Sequence, residues 1–296
     1  MISIVVCSIN PAFVEQLKKN IDSTIQVEYE MLVWDNRGIN KGICEVYNIM
    51  AGKAKFEIIC FLHEDIVFKT ENWGTILQEI FETMPGVGLI GVAGSKYKSK
   101  AFSGWYTGID KYDCANIIHE IHTEEQRILL PNPVKNEWEE VVDLDGVFLC
   151  CRKSIWEKIK FNQEDIKGFH FYDLDFSLRA SKISKVIVTY NVLIKHITQG
   201  GDFGNYWMLE AIKFHQKNNF ELPIRLFKDG QKNEESKIVI TALNVLKSQK
   251  ISWKIKWRWI TTQNLLKYPK YYYAILKLFF YRPLGLKNIH NIFRKK

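Results

Sequence analysis

Through its first hundred residues this chain alternates short apolar runs with amphipathic ones, and that alternation is the tightest constraint on its fold. Strand-like runs occupy residues 2–7, 29–34, 57–62 and 87–93, with helix-like stretches near 11–20, 42–54 and 73–84 between them. In the last of these, Trp73, Ile76, Leu77, Ile80 and Phe81 recur at three- and four-residue spacing before Pro85-Gly86 stops the helix. A strand, a crossover helix and a further strand pack as a right-handed unit. The pattern therefore predicts an α/β fold with a mainly parallel sheet flanked by helices.

In such sheets ligands bind beyond the carboxyl ends of the strands, so the residues standing there are the first candidates. Ser8-Ile9-Asn10-Pro11 follows the first strand and Asp35-Asn36-Arg37-Gly38 the second. After the third, the apolar run Ile58 to Leu62 ends in His63-Glu64-Asp65. Two acids there suit a solvated strand end. They also offer hard oxygen ligands to a divalent cation, which in turn binds phosphate. No GxGxxG and no GxxxxGK[ST] accompanies these strands, which argues against a dinucleotide fold or a P-loop. Phosphate here would meet a metal.

Residues 95–140 are rich in turns and aromatics (Trp105, Tyr106, Tyr112, Trp138) and read as an insertion whose elements the sequence leaves unplaced. An apolar strand ending near Cys150 follows, entered through Asp143, Asp145 and Gly146. A glycine there admits a ligand or another backbone, or marks a bend. Leu174 and Leu178 suit a helix whose first turn holds Asp173 and Asp175. Acids in a first turn favour the helix dipole, and either one aimed into a cleft is a candidate general base. His196 ends a further strand just before Gly200-Gly201. It suits either a structural role or metal ligation on a segment that moves.

The net charge of +8 is unevenly spread. From Ile251 to Lys296 there are eleven Lys or Arg and no acid, so the other 250 residues carry 30 bases against 33 acids, about −3. That segment interleaves its charge with Trp253, Trp257, Trp259, Tyr268, Tyr271, Tyr272, Tyr273 and Tyr281. Such a composition suits an anionic membrane surface, or a helical subdomain whose aromatics pack on the core. Nucleic acid is disfavoured, because no recognisable binding module is present. The six cysteines have no CxxC spacing, no basic leader precedes the first strand, and no apolar stretch reaches spanning length. The expectation is a reduced, cytoplasmic protein, held at the inner face of the membrane where the tail binds there.

Taken in order, these motifs resemble the GT-A-fold glycosyltransferases of the large family-2 type, closest to a bacterial branch with an HDD-like variant of the DxD motif. The resemblance covers about residues 2–204. It implies that Ser8 and Asn10 border the nucleotide, that Asp35 contacts the base, and that Asn48 lies near the nucleotide. The DxD signature falls on His63-Glu64-Asp65: Asp65 matches the Mn²⁺ or Mg²⁺ ligand, Glu64 a helper through water or ribose, and His196 an added metal ligand. The first acid of the signature is His63 here. Tyr172 stands where the family usually has a Glu, and Asp173 falls on the catalytic base. Asp145 and Gly146 would border donor or acceptor sugar.

These correspondences imply an inverting transfer from a nucleotide-diphosphate sugar, a UDP-sugar, to a saccharide or lipid-linked saccharide in surface glycan synthesis. They imply a catalytic domain over 1–204, a helical region over 205–250 and a basic aromatic segment over 251–296. A nucleotidyltransferase of similar topology would want a basic, glycine-rich loop where Ser8-Ile9-Asn10-Pro11 stands. A non-catalytic sugar-nucleotide-binding protein or scaffold descended from a transferase has His63 and Tyr172 as its only support.

Overall fold

The computed structural model describes residues 1–121, 124–129, 136–198, 204–218, 220–227, 234–247 and 249–280. The chain opens with β1 Ile2–Ser8, α1 Pro11–Thr24, β2 Tyr29–Asp35, α2 Ile43–Ala51, β3 Ile58–Leu62, β4 Ile66–Phe68, α3 Trp73–Thr83 and β5 Val87–Gly91. It continues with β6 Ala93–Ser95, β7 Tyr97–Lys98, β8 Asp113–Ile121, β9 Glu124–Leu129, β10 Trp138–Val141, β11 Asp143–Leu144 and β12 Phe148–Arg152. Then come α4 Lys153–Ile159, α5 Tyr172–Ala180, β13 Lys185–Thr189, β14 Ile194–Thr198, α6 Asn205–Lys217 and β15 Ile224–Arg225. Helices α7 Glu234–Lys247, α8 Trp253–Thr262 and α9 Tyr272–Phe280 complete the described residues.

The main sheet has the order β10-β13-β5-β12-β3-β1-β2. β2, β1, β3, β5 and β13 run the same way, while β12 enters antiparallel between β3 and β5 and β10 closes the β13 edge antiparallel. Because strand side chains alternate between faces, each strand feeds two cores. Ile4, Val6, Cys60 and Leu62 pack with Leu17 and Ile21 of α1 and with Trp73 and Leu77 of α3. Val5, Ile59 and Phe61 pack on the other face with Val46 and Tyr47 of α2 and with Leu174 and Leu178 of α5.

The region read as an insertion forms much of a second sheet, β11-β6-β8-β14-β4, with β9 added to β8. Three of its strands are only two or three residues long, too short for alternation to register in sequence. This sheet positions the site. β14 pairs antiparallel with β4, setting His196 opposite Ile66, and the Ile197 N–H donates to the Asp65 carbonyl at 2.8 Å.

At the far end, α6 gives Ala211 and Phe214 to the core beside α5, and Met208 and Ile212 to a third core. That third core unites Ile238 and Leu243 of α7, Trp259 and Ile260 of α8, and Ile275 and Leu278 of α9 with Tyr97 and Tyr112. The helical region and the described part of the basic segment therefore share one apolar core. Among the described residues, no helix is long and apolar enough to cross a membrane.

Candidate active site

The turn after β1 is built by its own sequence. Asn10 caps α1, its side chain accepting from the Ala12 N–H, and Pro11 follows at the first helical position, where a missing N–H costs nothing. Glu64 ties this turn to the end of β3: its carboxylate accepts from the Ser8 hydroxyl and from the backbone N–H groups of Ile9 and Asn10 at 3.3 and 3.0 Å. Ser8, Asn10 and Glu64 thus form one hydrogen-bonded edge of the site.

Beside it stand three candidate metal ligands. His63, Asp65 and His196 each offer a donor atom, all within 4.8 Å of one another. Asp65 Oδ1 lies 3.3 Å from His196 Nε2 and 4.0 Å from His63 Nδ1. Burial works to raise the Asp65 pKa, but the hydrogen bond and charge of His196, with help from His63, outweigh it and keep the carboxyl ionised below its ordinary range. Burial, then the neighbouring His196, holds His63 below its ordinary value, so its imidazole is neutral and has a lone pair to give. His196 Nδ1 is buried with no hydrogen-bond partner among the described residues. The nitrogen that faces the carboxylate is Nε2, and two imidazoles gathered on one carboxylate are a donor set that fits a bound divalent cation.

The third part is the Asp145-Gly146 turn against the start of α5. The Gly146 N–H donates to Asp173 Oδ2 and the Leu174 N–H to Asp173 Oδ1, both at 2.9 Å. The Tyr172 hydroxyl lies 3.1 Å from the Gly146 carbonyl and 2.9 Å from His63 Nε2. A Cβ on Gly146 would stand 2.2 Å from the Tyr172 hydroxyl oxygen, so the glycine is there to admit the tyrosine. Burial, then the nearby Asp145 carboxylate, raises the Asp173 pKa to about 7 against the N–H groups that lower it. A half-buried carboxylate poised near neutrality is suited to general-base work.

Of the two acids in the first turn of α5, the structure separates the roles. Asp175 is buried and committed to Arg179, which also reaches the Ile159 and Lys160 carbonyls. Asp173 is the one that faces Asp145 and Gly146.

Two expected nucleotide contacts look different in three dimensions. Asp35 ends β2 as expected, but it is exposed and held by Arg37, whose side-chain and backbone hydrogen bonds lower its pKa to about 2. Asn48 is turned into the protein. Its amide donates to the Phe161 carbonyl and Gln163, and its oxygen accepts from the Trp156 ring and the Phe161 N–H. With both donors and both lone pairs spent, Asn48 fastens α2 to the segment after α4 and has nothing left for a nucleotide. The expected Gly200-Gly201 loop lies outside the described residues.

Two side chains here, Trp105 and His119, were not expected at the site, and Tyr172 was marked only by its place in the resemblance, not by its contacts. Trp105 Nε1 donates to Asp145 Oδ2 at 2.6 Å, bringing an aromatic ring to the mouth of the site from the supposed insertion. His119 pairs in register with His196 on β8, its ring 5.5 Å away. Tyr172 bridges His63 and Gly146, and so links the candidate metal ligands to the turn that holds Asp173. No local pattern marks them, because each acts across strands distant in sequence.

A mainly parallel sheet with acids and imidazoles gathered at its strand ends defines an architecture of the GT-A glycosyltransferase type. The chain belongs to the family described as Glycosyltransferase like family, whose model matches residues 3–220. No curated protein sequence matches it. S. aureus TarS 1–349 in complex with UDP has a similar fold, at 13% identity and a TM-score of 0.51 over 90% of this chain and 81% of that one. The same protein in complex with UDP-GlcNAc gives 12% and 0.50 over 88% and 79%. GalNAc-T7 with UDP, GalNAc and Mn²⁺ gives 9% and 0.49 over 67% of this chain. This chain spans only 44% of that GalNAc-T7 chain and 47% of the longer TarS chain.

Proposed function

We propose that this protein is a metal-dependent, inverting glycosyltransferase that moves a sugar from a UDP-sugar to a hydroxyl of a saccharide or lipid-linked saccharide in surface glycan synthesis. One observation carries this reading. The candidate base and the candidate metal ligands are joined by a continuous chain of contacts, from Asp173 through Gly146 and Tyr172 to His63 and Asp65.

In this scheme Asp173, ionised, takes the proton of the acceptor hydroxyl. The acceptor oxygen then bonds to the anomeric carbon from the face opposite the diphosphate. The bond from that carbon to the diphosphate oxygen breaks, and the nucleoside diphosphate leaves with the electron pair. One displacement and one base suffice for inversion. Asp65 and His196 would hold Mn²⁺ or Mg²⁺, which supplies Lewis-acid neutralisation of charge developing on the leaving diphosphate. The edge formed by Ser8, Asn10 and Glu64 borders the nucleoside, and Asp145, steadied by Trp105, borders the sugar. The family match and the likeness to TarS, which has been solved with UDP and UDP-GlcNAc, support a nucleotide-sugar donor.

The C-terminal helices support a membrane-facing acceptor side at the cytoplasmic face. Eight of the sixteen exposed large apolar or aromatic side chains among the described residues fall between Trp253 and Phe280. Exposed Lys254, Arg258, Lys267, Lys270 and Lys277 accompany them, with no acid in the segment. Trp259, Ile260 and Leu278 pack inward, so the segment is both a packed subdomain and a basic aromatic surface.

The deciding experiment presents the full-length protein with a panel of nucleotide sugars and Mn²⁺, reading nucleotide-dependent thermal shift and then nucleoside diphosphate release with saccharide acceptors. A UDP-sugar that stabilises the protein and is turned over with inversion supports the reading. A protein that binds none of the panel, with or without metal, refutes it.

A further inference from the structure

We infer that His63 is a third ligand of the candidate metal site, and that Tyr172 dictates which of its nitrogens faces the metal. The inference rests on the metal-dependent reading above and deepens it.

A single proton decides the tautomer of His63. The Tyr172 hydroxyl has one hydrogen and two oxygen-borne lone pairs. Its neighbour at 3.1 Å is the Gly146 carbonyl, which only accepts, so the hydrogen goes there. The hydroxyl oxygen then has two lone pairs for its side-chain neighbours, the Tyr47 hydroxyl and His63 Nε2, the latter at 2.9 Å. Nε2 must therefore carry the imidazole hydrogen, and in a neutral ring Nδ1 is left bare.

That bare Nδ1 points at Asp65 Oδ1, 4.0 Å away. A lone pair facing a carboxylate oxygen at that separation is repulsive unless something positive lies between them. Asp65 Oδ1 is also 3.3 Å from His196 Nε2, so one carboxylate oxygen is shared by two imidazoles. The three donors lie within 4.8 Å of one another. The backbone supports the arrangement: the His63 N–H donates to the Val147 carbonyl at 3.2 Å, and the Ile197 N–H to the Asp65 carbonyl at 2.8 Å. An imidazole whose far nitrogen donates to a fixed oxygen is the usual state of a metal-bound histidine, and here that fixed oxygen is Tyr172.

The chemical consequence is selectivity. A set of two imidazoles and one carboxylate suits borderline transition ions, whereas Mg²⁺ and Ca²⁺ favour oxygen. The site would hold Mn²⁺, Co²⁺ or Zn²⁺ in preference to Mg²⁺, and its first-position histidine would be the cause.

Pulsed EPR on the full-length protein loaded with Mn²⁺, without donor or acceptor, tests this. Wild-type protein should show two coordinated imidazole nitrogens, and His63→Ala one. His63→Asp should move the Mn²⁺-over-Mg²⁺ preference toward Mg²⁺ by about tenfold. Tyr172→Phe, which keeps the ring and removes only the hydroxyl, should weaken Mn²⁺ binding by about 10–100-fold, the usual effect of losing an outer-shell partner. Thermal melts confirm that each variant is folded. Mn²⁺ bound through a single nitrogen in wild type, with His63→Ala unchanged, overturns the inference and leaves the Asp65–His196 site standing. Failure of wild type to bind Mn²⁺ even with UDP present refutes both.

Discussion

His63 Nε2 lies 2.9 Å from the Tyr172 hydroxyl, so two residues 109 positions apart in sequence are bonded to each other. Acids at both positions, in this geometry, would face one another as like charges. A histidine and a tyrosine form a neutral hydrogen bond instead. Tyr172 is braced for it: its ring meets Tyr47 edge-on at 5.7 Å, and its hydroxyl is anchored on Gly146. The pair joins the end of β3 to the start of α5.

Asp173 sets the pH dependence. Its pKa is raised to about 7, and a base works only when ionised, so kcat/KM should rise as pH increases through about 7 and level off above it. Asp173→Asn removes the base and should lower kcat by about 10²–10⁴-fold while leaving Mn²⁺-supported UDP binding within about twofold. Steady-state rates from pH 5.5 to 9, beside calorimetric UDP binding, check both; a mutant with near wild-type turnover would dismiss Asp173 as the base.

Asp65 is the shared carboxylate of the proposed metal site. Asp65→Ala leaves His63 and His196 without their common anion, and metal-supported UDP binding should fall by about tenfold or more. Titration of UDP with and without Mn²⁺ reads the effect, and an unchanged metal dependence counts against the site.

Gly146 is a steric prediction. A methyl group there would overlap the Tyr172 hydroxyl at 2.2 Å and its ring carbon at 2.6 Å, so Gly146→Ala should cost about 1–3 kcal/mol and displace Tyr172. Gly86→Ala, where nothing stands within 4 Å, is the matched control and should melt like wild type. Comparing the two melting curves settles whether the close approach is real.

The C-terminal surface predicts lipid selectivity. Full-length protein should co-sediment with vesicles containing phosphatidylglycerol and much less with phosphatidylcholine alone, because each base near an anionic surface contributes about 1 kcal/mol. Replacing exposed Trp253 and Trp257 together by Ser should reduce pelleting without lowering turnover on a soluble acceptor. Equal pelleting of variant and wild type would end the membrane reading.

The local code carried much of this protein. Short apolar runs announced β1, β2, β3 and β5 within a residue or two. The central strands β1, β3 and β5 are buried on both faces and so are largely apolar, while the edge strand β2 still keeps a mostly apolar run. Strand ends were legible too, because polar residues begin at Ser8, Asp35 and His63, at or just after the ends of β1, β2 and β3. What stayed hidden was held by partners far along the chain. Three strands of the second sheet are too short to show a period, β4 among them, and nothing local announced that β14 would pair with β4. Sequence named Asp65 and His196 as ligands; only that pairing puts them 3.3 Å apart. Asn48 looked like a binding residue because its type and place allowed it, and only packing revealed that all its hydrogen bonds are spent within the protein. His63 and Tyr172 are separated by 109 positions, and each is unremarkable by itself. Their joint meaning exists only in the folded chain, because a hydrogen bond needs two groups in one place and sequence specifies that place only through the whole fold.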